Sequence, residues 1–296
     1  MPPRHRRLWT LALVGSVLVL LIAAGYALFG RSKHVAAPYV PPPGCQAGAG
    51  VQAIPMGPDQ AAIAATIAGV AARHRLPREA VIVAYAAALQ ESQLQDLDYG
   101  DRDSVGVFQQ RPSQGWGTTA ELEDPVYATT KFFAALVHVP RYTRLPVDQA
   151  AQDVQHSADG SAYGQWTEVA QLLAGYFTGA PPHGVSCWFT PTGRADLAAA
   201  ERQLTETFGP RGPDAVMVGI TTARSGKKGR DGSVAVVRVQ RDEGWTVASW
   251  LVASAQDYGI SEVRYAGYEW TAADGSMGWQ RASGTQGPAR ASIDAG

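Results

Sequence analysis

The stretch that decides the fold runs from Ala88 to Thr118 and reads ALQESQLQDLDYGDRDSVGVFQQRPSQGWGT. Its first residues end an apolar helical pattern that covers residues 81–89. From Glu91 the sequence becomes a polar loop interrupted by glycines. A helix that is apolar on all sides is buried in its domain. Burial against apolar walls favours the neutral form of a carboxyl, which leaves a proton donor available near neutral pH. Glu91 is therefore the candidate general acid.

The loop after Glu91 contains side chains suited to a sugar chain. Asp98, Asp101 and Asp103 are candidates for a second carboxylate or for a group that orients a water molecule. Gly106 would allow a close approach of the backbone to a ligand. Stacking and hydrogen-bonding surfaces are offered by Tyr99, Gln109, Gln110 and Trp116. A structural alternative for Glu91 stays open, in which the carboxylate bonds loop N–H groups or pairs with Arg102 or Arg111.

Helical patterns surround this stretch. Apolar residues at helical spacing predict a helix over residues 58–74, and a second helix begins at Pro77, where proline tolerates the missing N–H. Further helices are predicted at 125–139, 147–157, 163–177 and 194–208. After the Gly/Pro-rich break at 209–213, the composition predicts strands and one helix. The strands are predicted at 216–222, 234–239 and 263–270, with the helix at 244–258.

Glu91-Ser92, followed after a polar loop by Ser104-Val105-Gly106-Val107-Phe108-Gln109, resembles the signature of the soluble lytic transglycosylase and goose-type lysozyme superfamily. That signature is Glu-Ser, a spacer, and Ser-x-x-Gly-apolar-apolar-Gln. The resemblance covers residues 58–180, and its specific part is confined to 88–112. It implies a helical lysozyme-like fold and cleavage of the β-1,4 bond between N-acetylmuramic acid and N-acetylglucosamine. Glu91 would protonate the glycosidic oxygen, and Ser92 and Gln109 would belong to the substrate-binding region.

The same resemblance leaves the type of reaction open. In lytic transglycosylases the glutamate then acts as a base, and the C6 hydroxyl of the sugar closes an anhydro ring, so no second carboxylate is needed. Hydrolysis would instead need a water held by a loop aspartate. The chain departs from the family pattern at Asp103-Ser104-Val105, where a Gly-Ala pair is usual. The later Ala-Tyr-Asn-Ala-Gly motif is replaced by residues 154–158 (VQHSA), with Tyr163 a little beyond as a further substrate-binding candidate.

The N-terminal segment from Leu8 to Phe29 contains no charged residue. A bilayer core requires about 20 apolar residues in a helix, and this run supplies them. It is longer than the apolar part of a cleaved secretory signal, and no Ala-x-Ala site follows, so an uncleaved signal anchor is predicted. Three arginines at positions 4–7 precede the run, which predicts a cytoplasmic tail at 1–7 and an extracytoplasmic location for the rest.

The predicted fold class is multidomain: a transmembrane helix at 8–29, a mainly α lysozyme-like domain and a small α+β C-terminal domain. An Ala/Pro/Gly-rich linker is predicted at 30–57, and a connecting helix and linker at 190–212. The lysozyme-like domain then covers 58–189. The run YGDRDSVGVFQQRPSQGWGT, residues 99–118, resembles a group of actinobacterial envelope proteins. In the C-terminal domain, residues 213–296, the run GWTVASWLVASAQDYGISEVRYAGYEWT resembles an accessory module found at the end of such proteins. This module contains no histidine, and we expect it to bind other envelope proteins rather than to catalyse.

The two cysteines, Cys45 and Cys187, bracket the first extracytoplasmic region. In an oxidising space such a pair predicts a disulfide, although two unrelated buried thiols remain an alternative. No histidine or further cysteine lies at ligand spacing, so we expect neither a metal nor another cofactor. A formal net charge of -1 argues against a nucleic-acid partner. The expected partners are the membrane and peptidoglycan glycan strands. A scaffolding protein without turnover, or a wall-opening component of a secretion or conjugation system, are the alternative functions.

Overall fold

The computed structural model describes residues 42–157, 160–190, 196–209, 222–224, 233–238, 243–282 and 290–294. The predicted cytoplasmic tail, the anchor and the first part of the predicted linker, residues 30–41, lie outside these residues. The same holds for the predicted strand 216–222 apart from its last residue. In the described part of the chain, no helix is both long and apolar enough to cross a membrane.

The body is mainly helical, and apart from the short helix Thr119–Leu122 its helices lie in the ranges that the apolar spacing predicts. They are α1 Pro58–Arg73, α2 Arg78–Ser92, α3 Thr119–Leu122, α4 Pro125–Leu136, α5 Val147–Gln155, α6 Thr167–Phe177 and α7 Leu197–Phe208. Short 3-10 segments lie at Pro112–Gln114, Tyr142–Arg144 and Gly160–Trp166. The predicted helix 163–177 therefore begins as the last of these 3-10 segments and becomes α-helical only at Thr167.

Helix α2 is the central helix of this body. It contacts α1, α4, α5 and α6, and almost all its residues between Ala80 and Leu89 are buried, as an all-apolar helix requires. Even Tyr85 is fully buried, and its hydroxyl donates to the Ala64 carbonyl at 2.7 Å. The helix ends where Gln93 adopts a left-handed φ of 57°. Glu91 is thereby fixed at the point where the buried helix meets the loop.

A three-stranded antiparallel sheet covers part of this body. It contains β1 Gly44–Ala47, β2 Ile54–Met56 and β3 Val185–Trp188, in the order β2-β1-β3. Cys45 lies directly opposite Cys187 in this sheet, and the two form the predicted disulfide. The prediction of a linker over 30–57 is wrong for residues 44–56, because pairing with β3 makes strands of a sequence whose composition resembles a linker.

The C-terminal region adds a second antiparallel sheet and two helices. The sheet order is β4-β5-β9-β6-β7-β8, and the helices are α8 Gly244–Ala253 and α9 Ala255–Tyr258. The strands are β4 Thr222–Arg224, β5 Ser233–Arg238, β6 Glu262–Tyr265, β7 Tyr268–Thr271, β8 Gln280–Arg281 and β9 Arg290–Asp294. The single strand predicted at 263–270 is wrong, because Ala266 and Gly267 turn the chain into a hairpin with φ values of 52° and 83°.

The helical body and the C-terminal region share one core. Helix α8 packs against α1 and β3, and the Trp270 indole donates to the Cys187 carbonyl at 2.9 Å. Ser186 donates to the Gly275 carbonyl at 2.6 Å and makes a second link between the two regions. Residues from Pro42 onward thus form one compact unit, whereas the sequence predicts two domains joined through 190–212.

Candidate functional site

Glu91 lies in the last turn of α2 and is partly buried. The Tyr163 hydroxyl donates to its Oε1 atom at 2.5 Å, and the Gln155 side chain also hydrogen-bonds the carboxyl. Burial raises the pKa of Glu91, since it penalises the charged form, while the two hydrogen bonds stabilise the carboxylate and lower that pKa. The net effect is a raised pKa, so Glu91 retains its proton to a higher pH than an exposed glutamate does.

Tyr163 is placed by the 3-10 segment Gly160–Trp166, which runs beside the end of α2. Its side chain is only 1% exposed. Burial and the hydrogen bond to Glu91 raise the pKa of the phenol far above its usual value, and a hydrogen bond with Ser157 partly offsets this. Tyr163 therefore stays neutral and remains a hydrogen-bond donor to Glu91.

The end of α5 holds the other side of the site. Gln155 donates to the Phe108 carbonyl at 2.8 Å and also hydrogen-bonds Glu91. It therefore links the polar loop to the Glu91 carboxyl. Beyond the helix, the Ser157 hydroxyl donates to the Gln152 side chain at 2.5 Å. Gln155 is not among the site residues predicted from the sequence. The signal available was its place in the VQHSA segment that replaces the family motif.

Ser92 has an internal role. It is 4% exposed, and its hydroxyl lies 2.7 Å from the Val107 carbonyl and 3.1 Å from the Ala88 carbonyl. The same oxygen accepts the Gln95 N–H at 3.1 Å. Ser92 therefore fastens the loop to the end of α2, and its hydroxyl is not presented to a substrate.

Gly106 also serves the loop itself. Its N–H donates to the Leu97 carbonyl at 2.7 Å, and its φ is +77°. A Cβ at this position would lie 2.1 Å from the Leu122 carbonyl oxygen. The close approach predicted for Gly106 is therefore an approach to its own chain rather than to a ligand.

The two loop glutamines are both used internally: the Gln109 side chain turns back into the loop, and the Gln110 side chain joins the loop to α4. Gln109 accepts the Ser104 hydroxyl at 3.0 Å and donates to the carbonyls of Tyr99 and Gly106, both at 3.2 Å. Gln110 is only 2% exposed, and its nearest described partner is the Ala128 carbonyl at 3.5 Å. These amides hold the shape of the loop that approaches Glu91.

Two of the three aspartates predicted as a second catalytic group, Asp101 and Asp103, lie near neighbouring arginines. Asp103 accepts Arg111 Nε at 2.7 Å, and this bond, together with bonds from Ser113, holds the pKa of Asp103 far below its usual range. The exposed Asp101 lies 3.8 Å from Arg102. No charged group of the described residues is among the causes that shift the pKa of Glu91. Among the described residues, Arg102 and Arg111 pair with aspartates. They do not form the ion pair with Glu91 that was the alternative to a catalytic role.

Two aromatic residues of the loop differ in exposure. Tyr99 is 69% exposed, and its backbone carbonyl is fixed by Gln109. Trp116 is partly buried against the core, and its carbonyl accepts the Tyr127 hydroxyl at 3.5 Å. Tyr99 is therefore the aromatic ring that the loop offers to a ligand most openly.

Asp96, in the same loop, lies among other acidic residues at the end of α3. Burial, followed by the charges of Glu123, Asp124 and Asp98, raises the pKa of Asp96 to about 6. Asp96 nevertheless keeps a good part of its surface exposed, so screening by water weakens these repulsions. In the described ranges, no group of His, Cys, Asp and Glu side chains is arranged to hold a metal ion.

No protein-family model matches the chain, and no curated protein matches it. The function of the site must therefore be inferred from its residues at the end of α2: a partly buried carboxyl of raised pKa, a neutral phenol and an amide.

Proposed function

We propose that this chain acts on peptidoglycan glycan strands, with Glu91 as the general acid of a lysozyme-like domain. The observation that carries the proposal is the raised pKa of Glu91 at the end of a buried helix, with Tyr163 and Gln155 bonded to its carboxyl. A glycosidase needs a carboxyl that still carries its proton near neutral pH. The resemblance of residues 88–112 to the lytic transglycosylase signature supports the same role.

The reaction that fits this site best is the non-hydrolytic one. Protonated Glu91 gives its proton to the glycosidic oxygen as the bond from the muramic C1 atom to that oxygen breaks. The resulting Glu91 carboxylate then takes the proton of the C6 hydroxyl, whose oxygen bonds to C1 and closes a 1,6-anhydro ring. Glu91 regains its proton, and no second carboxylate or water is consumed. Of the candidate loop aspartates, Asp103 is held by Arg111 at 2.7 Å, which favours a route that needs no second carboxylate.

The proposal includes an envelope location. The uncharged segment 8–29 would anchor the chain in the membrane with its first seven residues in the cytoplasm. The disulfide between Cys45 and Cys187 supports an oxidising, extracytoplasmic environment for the remainder. Glu91 would then face the wall rather than the cytoplasm.

A wall-binding protein without turnover is the second candidate. It is favoured by the internal use of Ser92, Gln109 and Gln110, because these polar groups are then not free to align a sugar for cleavage. The exposed ring of Tyr99 would still allow stacking on a glycan.

The test is digestion of purified peptidoglycan by the full chain in detergent, compared with Glu91→Gln, with fragments identified by mass spectrometry. We expect anhydro-muramic ends from the unmodified chain and a loss of about a hundredfold or more in Glu91→Gln, as for removal of an acid catalyst. Glu79→Gln is the matched control, because this exposed carboxyl lies in the first turn of α2, at the opposite end of the helix from Glu91.

Each outcome selects one function. Reducing ends in place of anhydro ends would establish hydrolysis by the same acid. Pelleting with the wall, without fragments from either folded protein, would contradict catalysis and leave the binding function.

A further inference from the structure

The residue immediately before Glu91 links the end of α2 to the 3-10 segment. The Gln90 side-chain Oε1 atom is 2.9 Å from the Trp166 indole nitrogen and 3.1 Å from the Gln165 amide nitrogen. An indole N–H only donates, so the atom facing Trp166 must be an acceptor, and this fixes the orientation of the Gln90 amide. Both lone pairs of the Gln90 oxygen are then used by neighbouring residues of one segment.

These donors are the last residues of the segment that carries the partner of Glu91. Gln165 and Trp166 end the 3-10 segment Gly160–Trp166, and Tyr163 lies in its middle. The segment contacts the end of α2 through two adjacent side chains, Gln90 and Glu91. Its amide contacts involve neutral groups, so they persist whether or not Glu91 carries a proton.

We propose that Gln90 is the positioning residue of this site and that it holds Tyr163 on the Glu91 carboxyl by accepting the hydrogen bonds of Gln165 and Trp166. The proposal rests on the proposed function only for its catalytic consequence. Tyr163 has to stay in place while the proton of Glu91 leaves and returns, and a clamp through neutral amides keeps it there in both states.

The clamp predicts a property of Tyr163 that can be measured without turnover. Burial and the bond to Glu91 both raise the pKa of the phenol, and both depend on the position of the segment. When the clamp is lost, the phenol gains solvent and loses its carboxyl partner. Its pKa then falls towards the usual value of about 10.

The experiment is a carbon-13 NMR titration of tyrosine Cζ atoms in the full chain in detergent, with the Tyr163 signal assigned from Tyr163→Phe. We expect no titration of Tyr163 up to about pH 11 in the unmodified chain, and a titration near 10 in Gln90→Leu. Gln90→Glu keeps an acceptor oxygen at the same place and should restore the silent signal. Gln114→Leu, at an exposed glutamine of the 3-10 segment Pro112–Gln114, is the matched control and should leave Tyr163 silent.

Two results would overturn the clamp: a Tyr163 signal that stays silent in folded Gln90→Leu, or one that titrates near 10 in the unmodified chain. If the unmodified chain releases anhydro fragments, Gln90→Leu should lower kcat by about tenfold or more with little change in KM, because it misplaces Tyr163, the hydrogen-bond partner of the acid, and leaves the acid in place. A lack of turnover in the unmodified chain would end the proposed catalysis, and the titration would still decide the clamp.

Discussion

At Glu91, burial and hydrogen bonding act on the same carboxyl in opposite directions. Burial raises its pKa, and the bonds from Tyr163 and Gln155 lower it. The net effect is a raised pKa, which brings the carboxyl closer to the pH at which it can both give and take up a proton. A general acid that must also act as a base requires this, because it is most effective with a pKa near the working pH.

Tyr163→Phe tests this balance. The variant removes a bond to the charged carboxylate and keeps the buried ring, so the neutral form of Glu91 gains and its pKa rises further. We expect the basic limb of the pH–rate profile for peptidoglycan cleavage to move to higher pH. Tyr142→Phe, at a tyrosine beside the start of α2, should leave the limb in place. A limb that moves to lower pH in Tyr163→Phe would contradict the account.

Gly106→Ala tests the fit of the loop against α3. The new methyl would meet the Leu122 carbonyl oxygen, and an alanine at a φ of +77° is strained as well. We expect a loss of unfolding free energy of about 2–4 kcal/mol from the strain and the overlap together. The measurement is thermal unfolding followed by circular dichroism.

Gly115→Ala is the matched control for this loss. Gly115 has a similar φ of +82°, but no heavy atom lies within 4 Å of its added Cβ. It should therefore lose only the strain, about 1–2 kcal/mol. Equal losses in the two variants would contradict the close approach at Gly106.

At the scale of elements, the sequence predicts the helices well and the strands poorly. The core helices carry apolar residues at helical spacing, so α1 and α2 could be located from local sequence. Strands β1 and β2 could not be, because their Ala/Gly/Pro composition resembles a linker, and β1, the central strand of the sheet, pairs with β3, which lies far away in sequence. The β6–β7 turn carries Ala266, a residue that gives no signal for a positive φ.

The candidate site divides in the same way. Glu91 was predictable because a carboxyl at the end of an apolar helix stands out, and Tyr163 because of its place near a family motif. Gln155 and Gln90 were not predictable, since their roles depend on which side chains face them across the fold. Gly106 and Gln110 could be selected as candidates from the loop sequence, but only the structure shows that their contacts are internal.

Ser92→Ala tests how α2 holds the loop. The variant leaves the buried Val107 carbonyl without its serine partner, which should cost about 1–3 kcal/mol of stability. We also expect faster hydrogen exchange of the loop N–H groups that follow Gly106, measured by mass spectrometry. Ser276→Ala, at an exposed serine, should change stability by about 0.5 kcal/mol or less. Unchanged exchange in Ser92→Ala would show that other contacts hold the loop.

At the scale of the whole molecule, the disulfide closes a loop that contains the candidate site. Cys45 and Cys187 are 142 residues apart in sequence and adjacent in the sheet, so their bond joins the start of the compact unit to β3. Strand β3 is in turn bonded to the C-terminal region through Trp270. The cross-link thus connects the first strand of the compact unit to the part of the core that both regions share.

Replacement of both cysteines by alanine should lower the unfolding free energy by about 3–5 kcal/mol, because the unfolded chain regains the freedom that the long loop had lost. The measurement is thermal unfolding of the full chain in detergent, with and without reductant. Reductant should lower the Tm of the unmodified chain and leave that of the double variant unchanged. Equal stability of the two oxidised proteins would contradict a stabilising role of the bond.

The central claim is that Glu91 is a partly buried acid that keeps its proton to a higher pH than a free glutamate does. The most direct measurement is a carbon-13 NMR titration of the glutamate carboxyl carbons in the full chain, with the Glu91 signal assigned from Glu91→Gln. We expect the pKa of this carboxyl to lie above about 4.3, the usual value for an exposed glutamate. A midpoint at or below that value would contradict the account, because Glu91 would then be a carboxylate at neutral pH with no proton to donate.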